Sequence, residues 1–232
     1  MTYPSWNNST PPRASMPQPI PGGYASGAPV VTQRPRVPAA TRAWHAAQVA
    51  IGYLVVLWVI YAVQVLAGQQ ALRFGVHPLD VSSLPDIFTA PFLHGSVGHL
   101  VSNSVPGAVF AFLLAWSGRK EFVWATLLII VLSGLGVWLI GGPMSVHIGA
   151  SGVLYGWLAY LVVRGFFSRS FGQLALGIAL ALSYTGWLWG VVPSTPGVSW
   201  QYHLCGALAG VLAAWVLSSR AREDARQRQL AR

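Results

Sequence analysis

The chain has 232 residues, 54% of them hydrophobic and 8% charged, and a formal net charge of +9. Soluble domains carry about 25% charged residues, so the composition argues against a soluble globular protein, and the apolar excess argues against a chain disordered throughout. The single cysteine, Cys205, leaves no intramolecular disulfide and no cysteine-based metal site.

Residues 1–44 hold nine of the 16 prolines, with Ser, Gly, Thr and Gln between them. Such a stretch cannot bury enough apolar surface to offset its ordering entropy. It is expected to be a disordered tail, either a Pro-rich ligand for a partner domain or simply a solvated segment. It contains no apolar run of signal-peptide length, so no cleavable signal is expected. A helix needs about 20 apolar residues to cross the hydrocarbon core. Six segments qualify: 46–67, 97–116, 122–141, 149–167, 171–190 and 200–219. The connection 68–96 mixes Gly75, Pro78, Pro85 and Pro91 with Phe88, Phe92 and Leu93, which predicts a folded, partly membrane-embedded loop. A membrane domain over 45–219 and a basic tail over 220–232 complete the expected organisation.

The positive-inside rule sets the orientation. With the N-terminus in the cytoplasm, 13 Lys and Arg fall inside, in 1–45, 117–121, 164–170 and after Ser219, and Arg73 alone falls outside. That bias accounts for the basic net charge without nucleic acid, and no nucleic-acid-binding motif accompanies it.

Polar and ionisable residues within membrane segments are costly and therefore mark candidate sites. Three clusters occur, all near the outer side in this topology. In the second segment His99 and Asn103 are four apart on one helical face. Both could donate toward a developing oxyanion, or bond a neighbouring helix. His94, five residues earlier, could brace the preceding loop. The fourth segment opens Gly149-Ala150-Ser151-Gly152. Ser151 could be a nucleophile whose own backbone N–H stabilises an oxyanion, or an N-cap serine followed by a packing glycine. The sixth segment carries His203, followed at helical spacing by Gly206 and Gly210, as Gly152 and Gly156 are spaced in the fourth. Both pairs fit the small-xxx-small pattern that lets helices approach closely. If these faces meet, Ser151 and His203 come within reach, His203 could act as a general base, and Tyr155, one turn after Ser151, could hold its ring. Otherwise His203 is a packing residue. The zinc-protease pattern H-E-x-x-H is absent and no acidic residue lies in the clusters, so no metal and no cofactor is expected.

Taken together, H-x4-H-x3-N (His94, His99, Asn103), G-x-S-G (Gly149–Gly152) with Tyr155 four after the serine, and H-x2-G-x3-G (His203, Gly206, Gly210) resemble a rhomboid intramembrane serine protease. The resemblance covers about residues 70–219, and its specificity lies in the ordered set of motifs on six helices. It implies an all-α membrane protein, a six-transmembrane-helix rhomboid-like bundle with a long, partly embedded first outside loop. It also implies a Ser151/His203 dyad without an aspartate. His99, Asn103 and the Ser151 N–H would form an oxyanion hole, Tyr155 would pack on His203, and His94 would support the loop. Three places depart from the family pattern: Leu84-Pro85-Asp86-Ile87 stands where many bacterial members have a Trp-Arg pair, and Tyr202 and Cys205 stand where small residues are usual.

The expected function is endoproteolysis of transmembrane segments at the outer side of the plasma (inner) membrane. The partners are membrane-protein substrates and the lipid bilayer, with no nucleic acid. Substrate is expected to enter where Gly186, Gly190, Pro193 and Pro196 loosen the outer end of the fifth helix, past Trp187 or Trp189. An inactive rhomboid-like protein that binds transmembrane helices is the alternative, against which the intact Ser151 and His203 argue. A transporter would spread its polar residues through the membrane rather than gather them on one side.

Overall fold

The computed structural model describes residues 37–193 and 196–230. Residues 1–36 of the expected tail, and the last two of the chain, lie outside the described residues. The expected boundary at residue 44 falls inside a helix: α1 spans Ala39–Ala67, with Pro38 as its N-cap. Proline suits a helix entrance because its missing N–H would have no partner there. The Pro38 carbonyl accepts the Arg42 N–H at 3.1 Å, and Arg42 donates to the Trp116 carbonyl at 2.7 and 3.1 Å, joining the start of α1 to the end of the next helix. Only Ala46, Leu57 and Gln64 of α1 are buried. Val55, Val59, Val63 and Leu66 leave an apolar outer surface fit for lipid.

The 68–96 loop is folded into three 3-10 turns, Gly68–Phe74, Val81–Phe88 and Ala90–Phe92. Asp80 caps the second by accepting from the Ser82 N–H at 2.9 Å, and its carbonyl accepts from the Trp138 indole at 2.9 Å. Ile87 lies against Gly134, where a Cβ would come within 2.6 Å of it. This apolar seat occupies the stretch that departs from the Trp-Arg pattern. Val76, Ile87 and Ala90 form a small core with Val137 and Tyr202.

The helices that follow are α2 (Val97–Ser117), α3 (Arg119–Ile140), α4 (Ser151–Ser168), α5 (Phe171–Ser183) and α6 (Trp200–Leu230). α4 lies at the centre, packed on α2, α3, α5 and most extensively α6. Among the described residues, four helices are long and apolar enough to cross a bilayer: α1, α2, α3 and the Trp200–Ser218 part of α6. A fifth is the bent pair of α5 and the 3-10 turn Thr185–Val191, which meet at 71°. The chain is thus an all-helical, multi-pass membrane protein. α4 falls short of the composition of a span because Ser151, Tyr155, Trp157, Tyr160 and Arg164 interrupt its apolar residues. It can carry them because protein rather than lipid covers it.

Two expectations are corrected. The fifth segment is not one helix over 171–190 but breaks after Ser183. There the Ser183 hydroxyl bonds back to the Ala179 carbonyl at 2.8 Å, and such bonding competes with the helical ladder. Arg164, counted among the exposed inside charges of 164–170, is buried within α4. It donates to the Ser117 hydroxyl and lies 3.4 Å from Glu121, which also accepts from the Tyr160 hydroxyl at 2.6 Å. Pairing is what makes a buried charge tolerable.

Candidate active site

The site is set by the contact of α4 with α6. A Cβ on Gly206 would run into the Gly152 carbonyl, and one on Gly210 into the Gly156 carbonyl. A Cβ on Gly156 would come 3.0 Å from the Gly206 carbonyl. The two backbones therefore touch along both glycine pairs. Gly206→Ala is expected to destabilise the protein by about 1–3 kcal/mol, as overpacking does, because the obstacle is backbone and cannot rotate away. A melting curve in detergent identical to wild type would contradict this packing.

That contact brings the first residue of α4 to the first turn of α6. The Ser151 Oγ lies 2.8 Å from His203 Nε2. The N-cap of α4 is Ala150 and makes no side-chain cap bond, so Ser151 is not the capping residue. His203 Nδ1 lies 2.9 Å from the Gly190 carbonyl. A carbonyl can only accept, so Nδ1 carries the proton and Nε2 is left to accept from the serine. The Tyr155 ring stacks on the imidazole, with centroids 4.2 Å apart and planes at 13°. The Tyr155 hydroxyl donates to the Trp187 carbonyl at 2.9 Å. The imidazole is thus held from one side by a ring and from the other by the turn after α5. Gly190 has to be glycine, since a Cβ there would lie 3.2 Å from His203 Nδ1 and overlap the Tyr155 hydroxyl.

The facing wall comes from α2. Ser96 caps it, accepting from the His99 N–H at 3.1 Å. The His99 ring covers Gly149, where a Cβ would sit 2.6 Å from it. Gly149 has φ 107°, a conformation that glycine alone adopts cheaply. Asn103 is buried, and its Nδ2 has no hydrogen-bond partner. A buried donor left unpaired costs about 1–3 kcal/mol, which is tolerated where a ligand group completes it. His94 is fully buried, edge-on to His99 with centroids 5.0 Å apart. Burial first, and then His99, push the His94 imidazole down to about 4, so it is neutral at pH 7.

These groups line a cavity of about 660 Å³. Ser96, His99, Ser102 and Asn103 form its polar wall, and Val146, Ile148 and Val198 its apolar one. The structure thus gathers His99, Asn103, Ser151, Tyr155 and His203 around one space, with His94 behind His99 and the glycines between the helices. Two contributors escaped the sequence. Gln64 grips the His94 backbone from α1, its amide N–H donating to the carbonyl at 2.5 Å and its oxygen accepting from the N–H at 3.0 Å. A glutamine in an apolar span was the available signal. The Gly190 carbonyl had none, because every residue carries one.

The rhomboid domain family matches residues 82–220, more than half of the chain and every residue lining the cavity just described, with Gln64 of α1 outside the match. The chain belongs to the rhomboid family. Similar chains include uncharacterized proteins of Mycobacterium tuberculosis and Mycobacterium bovis, each 41% identical over 180 residues that cover 74% of this chain and 75% of theirs. An uncharacterized protein of Mycobacterium leprae is 38% identical over 180 residues, 71% of its length. In this rhomboid the two α6 residues that depart from the family pattern, Tyr202 and Cys205, are matched by glycines opposite. The fully buried Tyr202 ring covers Gly152, where a Cβ would come within 2.5 Å of it. Cys205 faces Gly136 of α3, where a Cβ would lie 2.7 Å from Sγ.

Proposed function

We propose that this rhomboid is an intramembrane serine endopeptidase that cleaves transmembrane segments of other membrane proteins. The observation that carries the reading is the 2.8 Å bond between Ser151 Oγ and His203 Nε2, with His203 Nδ1 committed to the Gly190 carbonyl. In the mechanism, His203 Nε2 takes the hydroxyl proton as Ser151 Oγ attacks the scissile carbonyl. The oxyanion that forms is met by the Ser151 N–H, Asn103 Nδ2 and the His99 ring. His203 then passes its proton to the departing amine, leaving an acyl-enzyme on Ser151. Water, deprotonated by His203, attacks that ester and restores the serine.

All six helices cross the plasma membrane in this reading, with both termini cytoplasmic and the cavity open toward the outer side, as the charge bias supports. Substrate enters from the bilayer past α5, whose buried residues are only Gly177 and Leu180. The Trp187 ring stands in that path, edge-on to Phe110 of α2 with centroids 5.7 Å apart. Trp187→Ala is expected to raise cleavage of a transmembrane substrate, since the Tyr155 bond goes to its backbone and survives. A disulfide engineered between the outer ends of α2 and α5 should suppress cleavage until reduced. Full activity in the crosslinked protein would exclude this entrance.

The reading is tested by exposing the purified protein to a fluorophosphonate probe in detergent and mapping the adduct by mass spectrometry. Labelling at Ser151, lost in His203→Ala, supports a protease. Unlabelled Ser151 together with tight binding of a transmembrane helix would mark a non-cleaving binding protein instead.

A further inference from the structure

His147 has no contact with Ser151 or His203 in the mechanism, yet it is buried and both its ring nitrogens are engaged. Nδ1 lies 2.6 Å from the Ser199 hydroxyl and Nε2 lies 2.8 Å from the Ser145 hydroxyl. The proton positions follow by elimination. Ser145 donates to the Gly142 carbonyl at 2.5 Å, so toward His147 it can only accept, and the imidazole proton sits on Nε2. Nδ1 is then bare and accepts from the Ser199 hydroxyl. The Ser199 oxygen in turn accepts the Tyr202 N–H at 3.3 Å, as a helix-capping serine does. Burial, and then the neighbouring His77, push the His147 imidazole down to about 4, so this neutral arrangement holds at pH 7.

The ring is also fixed from behind. The His147 backbone pairs in both directions with Val76 of the first loop, at 2.9 and 3.0 Å. A Cβ on Gly141 would lie 2.6 Å from His147 Nε2. Position along the chain gives this bond its meaning. His147 precedes Ser151 by four residues and Ser199 precedes His203 by four, and the Ser199 carbonyl accepts the His203 N–H at 3.1 Å.

We propose that His147 is a positioning residue: through Ser199 it ties the loop that delivers Ser151 to the helix start that delivers His203, and so sets their separation from the outer side. The glycine contacts hold α4 and α6 together along their length, and at the first turns, where helices fray, the Tyr202 ring on Gly152 and the Ser151–His203 bond itself join them. The His147–Ser199 bond adds a tie between the segments just before the two helices, outside the reacting pair. This rests on the Ser151/His203 reading above.

The test uses the full chain in liposomes. His147→Ala, Ser199→Ala and their double variant are compared with wild type for kcat, KM, fluorophosphonate labelling rate at Ser151 and melting temperature. A misplaced reacting pair loses rate rather than substrate affinity. Each single variant is expected to lower kcat and labelling rate together by roughly tenfold, with KM within about twofold. The double variant should turn over no more slowly than Ser199→Ala, because both lack the His147–Ser199 bond, while the loss of the Ser199 cap on Tyr202 registers in melting temperature. His147→Asn, whose Oδ1 can accept from Ser199 where Nδ1 did, should recover most of the rate. This rescue separates positioning from mere bulk, and with Ser199→Ala it carries the test should His147→Ala fail to fold. Unchanged kcat in Ser199→Ala, additive losses, no rescue by Asn, or a change confined to KM would each overturn the proposal. An unlabelled wild-type Ser151 would overturn the dyad and this role with it, whereas wild type and variants labelled at equal rates would overturn this role alone.

Discussion

Ser151→Ala and His203→Ala are each expected to lower cleavage of a transmembrane substrate by about 10⁴- to 10⁶-fold, the loss seen when a member of a hydrolytic Ser/His set is removed. The serine hydroxyl is a poor nucleophile until its proton has somewhere to go, and His203 Nε2 at 2.8 Å is the acceptor in place. The Gly190 carbonyl holds Nδ1, and the Tyr155 ring meets the imidazole by its face. The double variant should be no slower than either single one, because the two residues act as a unit. Stability should separate the variants. Ser151→Ala removes a partly buried hydroxyl at the cavity wall and is expected to melt with wild type. His203→Ala also removes the ring on which Tyr155 stacks and is expected to melt lower. Single-turnover cleavage in liposomes, together with melting curves in detergent, reads both. Wild-type turnover in Ser151→Ala would end the covalent mechanism.

Asn103→Ala is expected to lower kcat by about 10²- to 10³-fold, equivalent to about 2.7–4 kcal/mol of transition-state stabilisation, with KM nearly unchanged. The ground-state carbonyl of a substrate is planar, and its oxygen moves toward the donors only as the carbon becomes tetrahedral. A donor waiting for that oxygen should be unpaired beforehand, and Asn103 Nδ2 is buried without a partner. The substitution should therefore leave stability unchanged or raise it, since deleting an orphaned donor relieves a desolvation cost. A structural role predicts the reverse, a drop in melting temperature. The Tyr53 bond to Asn103 does not confuse the comparison, because it goes to the backbone carbonyl at 3.0 Å and survives. A loss confined to KM would reassign Asn103 to substrate binding.

The multi-pass membrane character was legible in the sequence because its rules are local, although four helices and one bent pair, rather than six segments, meet the length and composition of a span among the described residues. Bilayer thickness sets how many apolar residues a span needs, and apolar runs can be counted. The pairing of α4 with α6 was legible for a related reason: Gly152, Gly156, Gly206 and Gly210 declare a close backbone approach at helical spacing, and Ser151 and His203 stand at the matching ends. Two helix starts illustrate the limit. Pro38 followed by Ala39 and Ala40 begins α1 earlier than its apolar run, whereas α4 begins at Ser151, close to where the sequence had it.

What the tertiary structure alone decided are meetings between residues far apart in sequence through groups that carry no residue-specific signal. Gly190 reaches His203 through a carbonyl that any residue would supply. Gln64 grips the His94 backbone across 30 residues, and Ser199 finds His147 across 52. After the break at Tyr184 the turn carries Gly190 to His203 and Trp187 to Phe110, contacts set by neighbours rather than by the apolar run itself. Residue type and spacing thus determined which helices exist and which side chains could react together. The separation and proton positions of those side chains depended on how loops close between the helix ends, and loop closure is set by packing partners that a linear pattern does not contain.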